Sequence, residues 1–386
     1  MTAKIYTLLT PQTIRFGAGC IETLGDELRK LGAKRVLVVT DAGVYSTGLV
    51  DPVLEQLAKI GTVPELFAEA EPEPTYPKLN AVAADLGKNS FDLIVAVGGG
   101  SSLDTAKGLS ILLAHGGKGQ DYIGPDKVPG PCLNTIMIPT TAGTGSEVTN
   151  IAIFGDPDKE LKLGIVSPHI LARVALVDPV FTYSCPPKLT AAAGIDALVH
   201  AIESYTSPKA GAYTDALALE AMRLIAGSLK TAVHDGSNKE ARNKLSEGAL
   251  LAGISFGNAG VAAVHALAYP LGARFHVPHG LANGVLLPYV MESNLSAALD
   301  KYALIAQVMT EKACALPRQE AAEQGLKAIQ TLCAEIGIPH HLRELGVPEE
   351  ALEGMAVATM EITRLLVNNP KNLTLDDVRA IWRSAW

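Results

Sequence analysis

Asp196 and His200 stand one helical turn apart in the stretch TAAAGIDALVHAIE, so both side chains project from one face and two donors can share a metal ion. Alone, such a pair is more simply a hydrogen-bonded Asp-His couple. The chain supplies further donors in VHALAYPLGARFHVPHG: His265, which precedes a helix broken by Pro270 and Gly272, and His279, in a Pro-His-Gly turn. One carboxylate and three imidazoles suit a divalent ion such as Fe(II) or Zn(II), with a coordination position open to an alcohol oxygen. The other histidines carry weaker claims. His276 reads as a surface residue, and His115, His169, His234, His340 and His341 show no donor cluster at ligand spacing.

A second set of residues suits an anion. The apolar run LIVAV leads into Gly98, Gly99, Gly100, Ser101 and Ser102, then into a helical pattern. Glycines admit close approach of backbone amides to a phosphate, and the helix adds its positive N-terminal end, the makings of a pyrophosphate site. A tight strand-to-helix turn without a ligand explains the glycines equally well, since the spacing is not GxGxxG. The loop PTTAGTGSE, at residues 139–147, ends another buried strand with small hydroxyl residues. Two such loops at strand C-termini argue for a long ligand, a dinucleotide. Asp41, after the first strong strand, either accepts from a ribose diol and disfavours NADP, or caps the helix that follows.

Elements of two kinds must position these groups. In the first half, RVLVVT (35–40), FDLIVAVGGG (91–100), NTIMIPTT (134–141) and RVALVDP (173–179) alternate with helical patterns. Continuous apolar runs of strand length predict parallel strands buried on both faces, an α/β nucleotide-binding domain over residues 1–185. Beyond Cys185-Pro186-Pro187 the segments are long and Ala/Leu-rich, as in TDALALEAMRLIAGSLKTAV, and predict an all-helical domain over 186–386.

The bulk properties fit a compact enzyme. With 386 residues, two domains are expected. A net charge of -8 with no basic cluster argues against nucleic acid or anionic membrane as partner. Five scattered cysteines without close pairs read as reduced thiols, and the absence of a signal-like N-terminus or a membrane-length apolar run predicts a cytoplasmic protein.

Taken together and in this order, GGGSSLDTAK, IPTTAGTGSE, AAGIDALVHAIE and HALAYPLGARFHVPHG resemble the iron-containing (group III) alcohol dehydrogenase family along essentially the whole chain. The resemblance implies a Rossmann-like N-terminal domain and an all-α C-terminal domain, with NAD(H) and metal facing each other across a cleft, in a homo-oligomer (a dimer or larger). Asp196, His200, His265 and His279 match the family's metal ligands, and Gly98, Gly99, Gly100 and Ser101 its pyrophosphate loop. Asp41, Asp104, Thr140, Thr141, Thr144 and Lys162 match other cofactor contacts. Where several members carry a histidine near the nicotinamide this chain has Tyr269, so a proton relay would run through water, a ribose hydroxyl or Tyr269. Arg274 is a candidate contact for an anionic aldehyde, or a surface residue. The implied reaction interconverts a small primary alcohol and its aldehyde. Rival readings are glycerol dehydrogenase, a dehydroquinate-synthase-like lyase, a metal-free maleylacetate reductase and a non-catalytic NAD-binding protein.

Overall fold

The computed structural model describes residues 5–158 and 161–386. The chain forms two units, one spanning residues 9–184 and one spanning residues 185–386 together with residues 5–8. The division falls beside the Pro186-Pro187 pair. Residues 5–8, expected in the first domain, group with the second, where the Tyr6 ring packs over Gly211.

The first unit is built on strands β1 (Thr13–Phe16), β2 (Val36–Val39), β3 (Glu65–Phe67), β4 (Leu93–Gly98), β5 (Gly124–Pro125), β6 (Asn134–Pro139), β7 (Ile151–Asp156), β8 (Leu161–Val166) and β9 (Val174–Val177). Six of them make one parallel sheet in the order β1-β9-β6-β4-β2-β3. Helices α1 (Leu24–Leu31), α2 (Ala42–Ser46), α3 (Asp51–Lys59), α4 (Tyr76–Leu86) and α5 (Gly100–His115) accompany it. The inner strands β2, β4, β6 and β9 are the four apolar runs. Their alternate residues enter separate cores: Leu37, Ile94 and Met137 pack with Leu79 and Leu103 of α4 and α5. Val38, Val95 and Ile138 pack with Leu28 of α1 and Leu57 of α3 on the other face. Burial on both faces is why these strands carry no polar alternation.

The edge strands β1 and β3 escaped the sequence reading because they are short and partly exposed. So did the small sheet β5-β8-β7, whose strand β7 alternates buried and half-buried positions instead of running continuously apolar. In the main sheet β2 has β3 on one side and β4 on the other, all parallel, so the order in which strands are added reverses at the β2–β4 pair. A crevice at the C-terminal ends of such a strand pair is where open α/β sheets bind ligands.

Among its described residues the second unit contains helices and no strand. It comprises α6 (Pro187–Thr206), α7 (Ala212–His234), α8 (Lys239–Ala259), α9 (Ala263–Phe275), α10 (His279–Asn294), α11 (Leu299–Met309), α12 (Arg318–Glu335), α13 (Leu352–Glu361), α14 (Thr363–Leu366) and α15 (Leu375–Ala385). Helix α6 packs against α7, α8 and α10 and is buried almost without interruption from Thr190 to Thr206. A helix apolar nearly all round belongs in a core, which makes its buried Asp196, His200 and Glu203 conspicuous.

Two local expectations give way here. Helix α9 is not broken at Pro270 and Gly272: it runs through both, and His265 lies in its first turn. Pro270 forfeits one helical hydrogen bond, a cost offset by burial of every residue from Ala263 to Gly272. His279 opens α10 as its first helical residue. No single described helix is long and apolar enough to cross a membrane.

Candidate metal centre and cofactor loops

Helix α6 carries Asp196 and His200 one turn apart, the first turn of α9 carries His265, and the first residue of α10 is His279. Asp196 Oδ1 lies 3.7 Å from His265 Nε2 and 3.8 Å from His279 Nε2, and the three ligand atoms are all within 4.8 Å of one another. Two donors bound tetrahedrally at about 2.1 Å stand about 3.4 Å apart, so each Asp196–His pair needs to close by only a few tenths of an ångström to hold a divalent ion. His200 stands just outside this group, its Nε2 3.9 Å from Asp196 Oδ2 and its ring stacked between Phe256 and His265. Burial alone would raise the Asp196 carboxyl; His200, His279, His265 and the Asn283 amide outweigh it and hold the carboxyl below its ordinary range. Asp196 and His265 are 3% exposed at their side chains but His279 is 32% exposed, so the cluster opens on the His279 side.

Gly280 makes this convergence sterically possible. A Cβ on it would stand 2.1 Å from the Ala192 carbonyl oxygen of α6, closer than atoms can approach. Only glycine lets the start of α10 press onto α6 and bring His279 to Asp196.

In the first unit the glycine loop opens α5 at the C-terminal end of β4, next to the end of β2. Asp41 caps α2 through Oδ1, which accepts from the Val44 N–H, and its Oδ2 accepts from Ser102 Oγ at 3.0 Å. The capping role is therefore realised, and the same carboxylate stands beside the glycine loop. The second loop abuts the first: Thr140 N–H donates to the Gly98 carbonyl, Thr141 faces Gly99, and Thr144 lies so close to Gly100 that an added Cβ would meet its Cγ2 at 2.8 Å. Lys162 on β8 pairs with Glu73 at 2.7 Å, and the Glu73 N–H donates to Ser101 Oγ. Lys162 is thus tied to the rim of the loop, with its side chain only 15% exposed.

Beneath the loops lies a buried polar network. Lys107 donates to Ser146 Oγ (2.9 Å), Thr149 Oγ1 (3.2 Å) and the Ile151 carbonyl (2.7 Å), which occupies all three ammonium protons. Asp104 accepts from Ser146 Oγ and from the Ile153 N–H, so both its oxygens join α5 to the second loop and to β7. Burial brings Lys107 down to about 8 against the opposing pull of Asp104 and Glu147, and pushes Glu147 up to about 7.

Comparison with known proteins shows the family of the chain. A family model described as iron-containing alcohol dehydrogenase matches residues 11–179, and its C-terminal counterpart matches residues 190–386. The chain belongs to the iron-containing alcohol dehydrogenase family. It is 41% identical over 387 residues to long-chain-alcohol dehydrogenase 1 of Geobacillus thermodenitrificans (strain NG80-2), covering 99% of this chain and 97% of that one. The crystal structure of a 1,3-propanediol oxidoreductase superposes with a TM-score of 0.96 at 39% identity, covering 99% and 100% of the two chains. A sulfoacetaldehyde reductase from Bifidobacterium kashiwanohense, solved with NAD+, superposes with a TM-score of 0.88 at 29% identity, with 99% of both chains covered.

Within this iron-containing alcohol dehydrogenase fold, Tyr269 follows His265 by one turn of α9, and its ring centroid lies 6.2 Å from that of His279. His276 is exposed and ends α9 in the left-handed conformation. Arg274 is not brought to the ligand cluster: nine positions past His265 puts it on the opposite side of α9, exposed, with its guanidinium against Gly354 of α13.

Glu203, Asn283 and Lys107 were not singled out from the sequence. Glu203 accepts from the N–H groups of Ala262 and Val264 and from His265 Nδ1 at 2.7 Å. A carboxylate on Nδ1 fixes the tautomer that leaves the His265 Nε2 lone pair free for an ion. The available signal was spacing: Glu203 lies three residues past His200, and Asn283 four past His279, on ligand-bearing faces. Glu203→Gln is expected to weaken metal affinity about 10–100-fold while the fold survives. Metal titration with circular dichroism checks this, and an unchanged affinity would deny Glu203 its orienting role.

Proposed function

We propose that this protein is an iron-dependent alcohol dehydrogenase that interconverts a small primary alcohol and its aldehyde with NAD(H), acting in the cytoplasm as a homo-oligomer. The observation that carries the reading is the convergence of Asp196, His265 and His279, with His200 beside them, in the buried interior of the helical unit. Fe(II) held there supplies Lewis acidity toward the substrate oxygen, and NAD(H) supplies or accepts the hydride.

The chain's own residues supply the rest. Asp196 neutralises part of the cation's charge, the imidazoles complete the donor set, and Glu203 fixes the direction of His265. The half-exposed side of His279 gives the substrate its approach. The N–H groups opening α5, with Gly98, Gly99, Gly100 and Ser101, receive the pyrophosphate, and Thr140, Thr141 and Thr144 line the neighbouring loop. Asp104 holds that loop through Ser146, and Lys162 secures the rim through Glu73. Asp41 stands where a carboxylate would accept from the adenosine ribose and repel a 2′-phosphate. Arg274 has no part in this scheme, which leaves a neutral substrate as the favoured class.

Tyr269, one turn past His265 with its ring centroid 6.2 Å from that of His279, is the side chain we assign to move a proton. Tyr269→Phe is expected to lower turnover about tenfold or more and to alter its pH profile. Unchanged turnover and profile would hand the proton to water or the cofactor ribose.

The decisive experiment reconstitutes the protein with Fe(II) and follows NADH and NADPH oxidation with short neutral and anionic aldehydes. Iron-dependent reduction with preference for NADH and neutral aldehydes is expected. No turnover with any of them would overturn the assignment, and equal use of NADPH would remove the role given to Asp41.

A further inference from the structure

Asn283, fully buried one turn beyond His279 on α10, aims its amide into the ligand cluster. Its Nδ2 lies 2.6 Å from Asp196 Oδ1, 3.2 Å from His265 Nε2 and 3.2 Å from His279 Nε2. These are the three atoms that converge for an ion. An amide nitrogen carries two N–H groups, so three acceptors share two donors. The carbonyl oxygen of the same amide is buried and accepts no hydrogen bond. Turning the amide over would give nothing better, because Oδ1 would then face the Asp196 carboxylate and the bare Nε2 of His265, whose Nδ1 is committed to Glu203. The side chain spends its donors on the metal ligands and leaves its own oxygen without a partner.

We propose that Asn283 is an internal stand-in for the cation: its amide nitrogen and a divalent ion are alternative partners of the same three atoms. An ion about 2.1 Å from each of them would meet N–H groups pointing at it, and the two positive ends repel. The amide therefore withdraws as the ion enters. Until then its N–H groups are shared among the buried Asp196 carboxylate and the two imidazole nitrogens. Asn283 thus keeps the metal-free protein preassembled at the expense of metal affinity. The inference rests on the metal centre proposed above and predicts a sign that an ordinary supporting residue would not show.

The test strips wild type, Asn283→Ala and Asn283→Ser of metal and titrates each anaerobically with Fe(II) against a chromogenic chelator. Loss of a hydrogen bond to a charged carboxylate that exists only in the metal-free form should tighten the variants' Kd for iron about tenfold or more. Their metal-free Tm should fall while the iron-loaded Tm stays close to wild type. Variants binding iron equally or more weakly would overturn the stand-in role and leave the metal centre intact. Wild type failing to bind iron would remove the centre and this inference with it. Should Asn283→Ala not fold without metal, Asn283→Ser carries the comparison.

Discussion

Asp196→Asn is expected to yield a folded protein that no longer retains iron and whose kcat/KM falls at least about 10³-fold, the scale of a lost Lewis acid. Asp196 is the hub of the cluster: Oδ1 faces His265 and His279, and Oδ2 faces His200. Three neutral imidazoles without that carboxylate offer no charge to balance a divalent ion. An asparagine would also place an N–H or an uncharged oxygen where the ion needs an anion. The metal-free Tm should fall, because the imidazoles and the Asn283 amide around this position favour the charged carboxylate over a neutral group of the same shape. Binding of NADH should persist, since the glycine loop belongs to the other unit. Metal analysis, thermal unfolding and steady-state kinetics read the three effects separately. An Asp196→Asn enzyme that kept its iron and most of its activity would refute the ligand assignment.

Gly280→Ala should damage the same centre without touching a ligand. One methyl group at that position meets the Ala192 carbonyl oxygen at 2.1 Å and its carbon at 2.7 Å, both backbone atoms that cannot rotate away. The start of α10 must lift from α6, and His279, its first residue, moves with it. Forced overpacking costs about 1–3 kcal/mol, and displacement of a reacting group by about 1 Å costs about 10²-fold in rate. Reduced iron occupancy, a Tm lower by several degrees and activity down about 10²-fold are the expected results. Wild-type iron content and Tm in Gly280→Ala would mean that the close approach of the two helices is not needed.

The sequence by itself determined whatever depends on neighbours along the chain. Continuous apolar runs specified β2, β4, β6 and β9, because a strand covered on both faces has no polar side to show. Helical periodicity put Asp196 and His200 on one face, and glycines before a helix marked an anion site. Only the tertiary structure decided what depends on distant residues meeting. Packing carried α9 through Pro270, and Gly280 brought α10 onto α6. The fold turned Arg274 toward Gly354 and gave Glu203 and Asn283 their place around His265. It also committed Asp104 and Lys107 to an internal network that nothing in their spacing announced. Local patterns encode backbone conformation and facing, whereas a ligand cluster exists only where separate helices cross, and crossings are settled by burial and steric fit over the whole unit.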